Sequence, residues 1–162
     1  MTQQPLLRRE ESLGYQVNHL SRLLTNALRS RVQAFGVVPG QFAQLLALYE
    51  RDGRTQAELC RDVQIEQATM ANTLNRMERD GLVVRTADHR DRRRTLVHLT
   101  PKARYLEAVL VASALGVNTA ATAGLSEAEV AAFLSTVQRL IDNLERAEVD
   151  GHVPDPDEPV AR

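Results

Sequence analysis

The feature that most constrains this chain is the stretch from Thr55 to Thr100, where three local patterns follow one another with no slack between them. Thr55 and Glu58 stand three apart, a capping-box spacing in which each side chain satisfies a backbone N–H of a helix's first turn. Leu59 and Val63 then give a helix of about two turns its apolar side. After a break at Gln64-Ile65-Glu66, Met70, Leu74 and Met77 recur at spacings of four and three, which is a second helix. Gly81 closes it as a left-handed cap. Two runs rich in β-branched residues follow, Leu82–Arg85 and Thr95–Leu99, and the polar tip between them, Thr86 to Arg94, carries too much charge to be buried.

A helix, a break, a second helix and a hairpin make a helix-turn-helix with a β-hairpin wing. The face of the second helix opposite its methionines holds Gln67, Ala68, Ala71, Asn72 and Asn75, all small or amide and none acidic. Such a face suits an element laid against a polyanion while offering hydrogen bonds to base edges. Gln67, Asn72 and Asn75 are the candidates for base contact, because amides pair well with adenine. Thr69 and Arg76 are candidates for phosphate, where they would fix register.

This segment resembles the multiple antibiotic resistance regulator (MarR) family of winged-helix transcription factors. The resemblance is carried by the helix from Thr69 to Arg76, Gly81-Leu82, Arg85, Asp91-Arg92-Arg93 and Val97-His98-Leu99-Thr100. In length and helix order it extends over residues 10–147. Three positions depart from the family pattern: Gln64 stands where a turn glycine is common, Arg94 where a small polar residue is usual, and Ala103 where glycine often follows the Leu-Thr. The resemblance implies that Arg93 enters the minor groove while Asp91 holds the arginines of the tip in place. Arg90, Arg92 and Arg94 would meet phosphate. A charged tip can be merely solvated, yet crowding like charges has a cost, and a narrow minor groove is a place where arginine is favoured.

The overall charge is only −1, but it is segregated. Five arginines and two aspartates lie between Arg85 and Arg94, whereas five acids and no Lys or Arg lie between Glu148 and Glu158. Aromatic content is 4% with no Trp, which together with abundant Leu, Ala and Val favours helices over a sandwich or barrel. No apolar run approaches the roughly 18 residues of a membrane span, and the start, MTQQPLLRREES, has no signal core. A soluble, cytoplasmic protein is expected. The single cysteine, Cys60, leaves no intramolecular disulfide, and it reads as a small buried filler rather than as a redox sensor. Asp88, His89 and Asp91 are too close to arginines to hold a cation, so neither metal nor cofactor is expected.

Outside the winged segment, Leu13, Val17, Leu20, Leu24, Leu28 and Phe35 form one long helical stripe closed by Gly36, with little nearby to cover it. Pro39 fits the first turn of a second helix with Phe42, Leu45, Leu46 and Tyr49 inward, and Val38 leaves that start without a side-chain cap. Thr100-Pro101 is a strong helix start. The helix it opens is uncharged from Val111 to Gly124, a run that packs on another helix or another chain. Ser126 and Glu129 make a further capping box ahead of the stripe Val130, Phe133, Leu134, Val137, Leu140, Ile141 and Leu144.

The expected fold is therefore mainly α with a small β-hairpin wing. It comprises a flexible arm (1–9), dimerisation helices (10–38 and 101–147), a winged helix-turn-helix lobe (39–100) and a disordered acidic tail (148–162). The reading that follows is a homodimer binding double-stranded DNA at a palindrome, as a repressor. The family resemblance adds a small-molecule effector, an aromatic acid or acyl thioester, at the junction of the dimerisation helices and the winged lobe. Tyr15, His19, Arg22, Asn26, Tyr49 and Tyr105 are the polar or aromatic residues available there. A module binding an acidic protein partner is the rival reading. An enzyme is not expected, since no nucleophile-base set, phosphate loop or metal-ligand spacing is present.

Overall fold

In the computed structural model, which describes residues 8–149, three of the helices begin at a side-chain cap that the sequence supplies, at Ser12, Thr55 and Ser126. Helix α1 (Leu13–Val32) starts at Ser12, whose hydroxyl accepts from the Tyr15 N–H at 3.3 Å. It tightens into a 3-10 turn over Gln33–Phe35 and stops at Gly36, whose φ of 72° needs the left-handed region. Helix α2 (Phe42–Glu50) follows a 3-10 turn begun by Pro39. Val38 has no polar side chain to offer, and Gln41 supplies half of a cap instead, its Oε1 accepting from the Val38 N–H at 3.3 Å.

Strand β1 (Arg54–Thr55) leads into α3 (Gln56–Val63), then α4 (Gln67–Arg79), β2 (Val83–Ala87), β3 (Thr95–Leu99) and α5 (Pro101–Ala121). The three strands form one antiparallel sheet in the order β1-β3-β2. Arg54 faces Val97 on one side of β3, and Arg85 faces Val97 on the other. The two-residue β1 has no alternation of its own to announce it, and the hairpin expectation omitted it. Its Arg54 is buried, with Nη1 2.5 Å from Asp62 and Nη2 3.8 Å from Glu50.

Leu45, Leu48, Leu59, Met70, Leu74, Met77 and Leu82 are wholly inaccessible and form the centre of the winged lobe. Each such side chain contributes about 1.5–3 kcal/mol relative to exposure. One expectation is corrected here. Leu46 is 36% exposed and Leu48 takes the inward place, because the opening turn sets the phase of α2 so that Leu45 and Leu48 share its buried face.

The chain divides into two compact units, the first ending at Ala121 and the second beginning at Thr122. Within the second, α6 (Glu127–Val149) starts at the expected capping box: Ser126 N and Oγ both lie 2.7 Å from Glu129 Oε2, and Glu129 N returns to Ser126 Oγ. Phe133, Leu134, Ile141 and Leu144 on α6 are exposed, as are Leu13, Val17, Leu20 and Leu23 on α1 in the first unit. No helix among the described residues is long and apolar enough to cross a membrane. Most of the expected arm (1–9) and nearly all of the expected tail (148–162) lie outside the described residues.

Candidate nucleic-acid interface

Helix α3 is anchored by the Thr55–Glu58 box, in which Glu58 Oε2 accepts from Thr55 N at 2.7 Å and from its hydroxyl at 2.8 Å, while Glu58 N donates back to Thr55 Oγ1. The bond from the Thr55 backbone N–H, and then that from its hydroxyl, hold the Glu58 carboxyl below its ordinary range. The turn into α4 passes through Gln64 at φ 56°, a left-handed conformation that costs a non-glycine residue about 1 kcal/mol. Gln64 Nε2 offsets part of that by donating to the Arg61 carbonyl at 2.8 Å.

Helix α4 buries Met70, Thr73, Leu74 and Met77 and turns Gln67, Thr69, Asn72, Asn75 and Arg76 to solvent. Its end is a Schellman motif: Leu82 N donates to Met77 O at 2.8 Å and Gly81 N to Glu78 O at 3.1 Å, with Gly81 at φ 71°. Thr100 Oγ1 donates to Gly81 O at 2.7 Å and accepts from Ala103 N, so one hydroxyl joins this turn to the start of α5. The outward face is therefore carried on a helix fixed at both ends and packed along its back.

Asp88 and Asp91 order the wing tip. Asp91 Oδ1 accepts from the Arg93 N–H at 3.0 Å and lies 3.4 Å from Arg93 Nε, and Asp88 Oδ1 accepts from Arg90 N at 2.8 Å. The Arg93 side chain is nonetheless 93% exposed. Arg90 and Arg92 are exposed as well. Arg94 differs, since its guanidinium turns back towards the body, 3.8 Å from Glu58 and 3.9 Å from Asp88. The sequence brings all four arginines to one tip, but the structure commits Arg94 to two carboxylates.

Of the six effector candidates, Tyr15, His19, Arg22 and Asn26 stand on α1, Tyr49 on α2 and Tyr105 on α5. Tyr15 and His19 pair on the first half of α1 with ring centroids 6.2 Å apart. Tyr105 is 88% exposed on α5. Tyr49 donates to the Ala103 carbonyl at 2.8 Å, and burial, reinforced by Glu107, pushes its phenol up to about 12. A cavity of about 380 Å³ does lie between α1, α2 and α5, but Leu24, Leu28, Phe42, Leu46 and Val117 line it, and none of the six does. Thr25 and Asn118 are its polar lining residues, and none of its lining is titratable, so it was not legible from charged residues in the sequence. Cys60 is buried, and burial raises its thiol.

The sequence profile of the MarR family matches residues 35–94, the span of α2, α3, α4, β2 and the wing tip. The HTH-type transcriptional repressor NicR of Pseudomonas putida is 30% identical over 66% of this chain and 68% of that protein. The chain belongs to the MarR family. A Thauera aromatica regulatory protein named for the hcr operon is 28% identical over 65% of this chain, which spans just under two thirds, 63%, of that relative's length. The crystal structure of a MarR-family transcriptional regulator from Silicibacter pomeroyi superposes with a TM-score of 0.69 at 26% identity, covering 86% of this chain and 96% of that one.

Three residues of this MarR-family lobe make contacts that sequence reasoning did not read: Arg85, named there only as part of the resemblance, Gln56 and Asp52. Arg85 on β2 reaches Glu78 at 2.6 Å and Asn75 at 2.9 Å, so the wing and α4 are joined by one guanidinium. Gln56 on α3 donates to Gln67 Oε1 at 3.0 Å. Asp52, at the end of α2, accepts from Leu99 N at 2.8 Å and also holds the His98 ring and the Arg104 guanidinium. Their only sequence signal is charge or amide character at spacings of 7 to 52 residues, which no local pattern reads.

Proposed function

We propose that this chain is a ligand-responsive DNA-binding transcription regulator, acting in the cytoplasm as a homodimeric repressor. One observation carries the reading: the wing arginine at residue 93 is held by Asp91 yet left almost wholly exposed, beside a helix that turns Gln67, Asn72, Asn75 and Arg76 outward and whose exposed carboxylate, Glu78, is paired with Arg85. A cation ordered but not neutralised by packing suits an anionic partner, and a hairpin tip is narrow enough for a minor groove. Helix α4 would read the major groove with Gln67, Asn72 and Asn75, while Thr69, Arg76, Arg90 and Arg92 meet phosphate. Arg94 would serve the wing's geometry as much as phosphate.

The exposed apolar stripes of α1 and α6 support a two-chain assembly in which residues 10–38 and 101–147 supply the dimer base and residues 39–100 the DNA-binding lobe. A two-fold dimer reads a palindrome with half-sites about one helical turn, roughly 34 Å, apart. The cavity between α1, α2 and α5 is where an effector with an aromatic ring would fit, and Leu46 at its rim belongs to the lobe that would move. A ligand that fits only the arrangement with poor spacing shifts the population off the operator.

The test is fluorescence anisotropy with duplex DNA across a salt series. Binding that weakens steeply with salt and is stronger for a palindromic site from beside the chain's own gene supports the reading. Salt-insensitive failure to bind any duplex, with binding to acidic protein instead, would overturn it. Sedimentation at micromolar concentration should give the mass of two chains, and a well-folded monomer would remove the dimer.

A further inference from the structure

Two of the amides on the outward face of α4 are not free to choose which atom they present. Gln67 Oε1 accepts from Gln56 Nε2 at 3.0 Å, and the same nitrogen lies 3.3 Å from the Gln67 carbonyl. Asn75 Oδ1 accepts from Arg85 Nη2 at 2.9 Å, and Arg85 is steadied on its other side by Glu78 at 2.6 Å. A primary amide whose oxygen is turned inward to a donor turns its NH2 group outward. Asn72, between them, is exposed and has no hydrogen-bond partner among the described residues.

We infer that Gln56 and Arg85 are positioning residues that set base specificity, fixing Gln67 and Asn75 as outward hydrogen-bond donors and leaving Asn72 as the one amide able to read adenine with both its atoms. The inference rests on the DNA-binding reading above. Bidentate recognition of adenine needs an amide oxygen to accept from N6 and an amide nitrogen to donate to N7. At Gln67 and Asn75 the oxygen faces its donor within the lobe, and at Asn75 the guanidinium beside it also repels the adenine amino group. What remains is a donor, which matches best the paired acceptors O6 and N7 of guanine, whereas adenine offers it only N7 beside a repelling N6 amino group. Each half-site should then hold two columns that favour guanine over adenine, and one column, read by Asn72, that favours adenine. Composition alone gives the opposite expectation, three adenine-reading amides on one helix, because it does not show what lies behind each of them.

The spacing of neither residue announces its partner on α4. Gln56 is the first residue of α3 and Arg85 the third of β2, so the elements flanking α4 each send one side chain to it. Gln56 acts on the amide in the first turn of α4 and Arg85 on the one two turns further along.

The experiment is selection of bound duplexes from a randomised pool by the full chain, with columns assigned by which one each of Gln67→Ala, Asn72→Ala and Asn75→Ala relaxes. For the unaltered chain, adenine should be disfavoured at least about fivefold at the Gln67 and Asn75 columns, the low end of what one good side-chain-to-base pair supplies. Gln56→Ala, at a partly exposed position, should admit adenine at the Gln67 column and leave the other two unchanged. Asn75→Asp keeps the Arg85 contact but turns an oxygen outward, and should replace the guanine preference there with cytosine, whose N4 donates. Circular dichroism melts confirm that both variants fold. Adenine at all three columns, or an unaltered Gln67 column in Gln56→Ala, would overturn the inference while leaving DNA binding intact. Failure of the unaltered chain to select any sequence from the pool would overturn the DNA-binding reading and this inference with it.

Discussion

The Arg94 guanidinium lies 3.8 Å from the carboxylate of Glu58, so the last arginine of the wing tip is drawn back onto the capping box of α3 while Arg93, its neighbour, points away with a side chain 93% exposed. The turn before β3 thus separates an outward cation from one that braces the hairpin.

That separation gives the first prediction. Arg93→Ala should weaken binding to a cognate duplex by about 1–3 kcal/mol and leave the melting temperature unchanged. Arg94→Ala should cost less in affinity, because its charge is already shared with Glu58 and Asp88. Anisotropy titrations of both variants at one moderate salt concentration decide it. A larger loss for Arg94→Ala would mean the wing turns over on binding.

Glu58 carries a second prediction, about acid. Its folded carboxyl is lowered from 4.5, first by the bond from the Thr55 backbone N–H, then by the Thr55 hydroxyl, with Arg51 and Arg94 adding to it. A lowered carboxyl contributes stability that is fully present above the unfolded value and is lost as pH falls through the folded one. Urea midpoints should therefore decline below about pH 4.5, and less steeply in Glu58→Gln, which keeps an acceptor but not the charge. Identical slopes for the two proteins would show that other carboxylates carry the acid transition.

How much of this was legible beforehand depends on the distance over which each feature is encoded. Thr55–Glu58, Ser126–Glu129 and Gly81 are local patterns, and each forms the cap that its spacing announces. The burial of Met70, Leu74 and Met77 follows from helical periodicity in the same way. Strand β1 was not legible, because two residues hold no period and pair only once β3 is beside them. The inward place of Leu48 rather than Leu46 depends on where α2 begins, and Val38 offered no cap from which to read that. The tie between Arg85 and Asn75 spans 10 residues and two elements. Such contacts are properties of the packed lobe, which is why the faces of α4 were readable and the chemistry behind them was not.

Gly53 supplies a prediction about packing. Its φ of 69° lies in the left-handed region, and an added Cβ would sit 2.9 Å from His98 Cε1. That ring has nowhere easy to go, since Asp52 holds His98 Nδ1 at 3.3 Å and also accepts from the Leu99 N–H. Gly53→Ala should cost about 1–3 kcal/mol, combining left-handed strain with overpacking. Chemical denaturation measures it. Recovery of most of the loss in Gly53→Ala combined with His98→Ala would assign the cost to the ring, and no recovery would assign it to the backbone.

The last prediction separates the two kinds of contact proposed for α4. Asn72 and Arg76 lie one turn apart on a helix whose Met70, Leu74 and Met77 are fully buried, so both side chains leave the lobe on the outward side. An amide there reads a base edge, and its removal leaves a donor and an acceptor of the base unpaired only where the sequence is right. Asn72→Ala should cost about 1–3 kcal/mol on the operator and little on random duplex. A guanidinium near the backbone instead displaces counterions whatever the sequence. Arg76→Ala should weaken specific and random binding alike and reduce the slope of log affinity against log salt by about one. Titrations of each variant against both duplexes at four salt concentrations separate the two effects. Equal losses on both duplexes for Asn72→Ala, or an altered sequence preference for Arg76→Ala, would show that α4 enters its groove rotated from the orientation its buried face dictates.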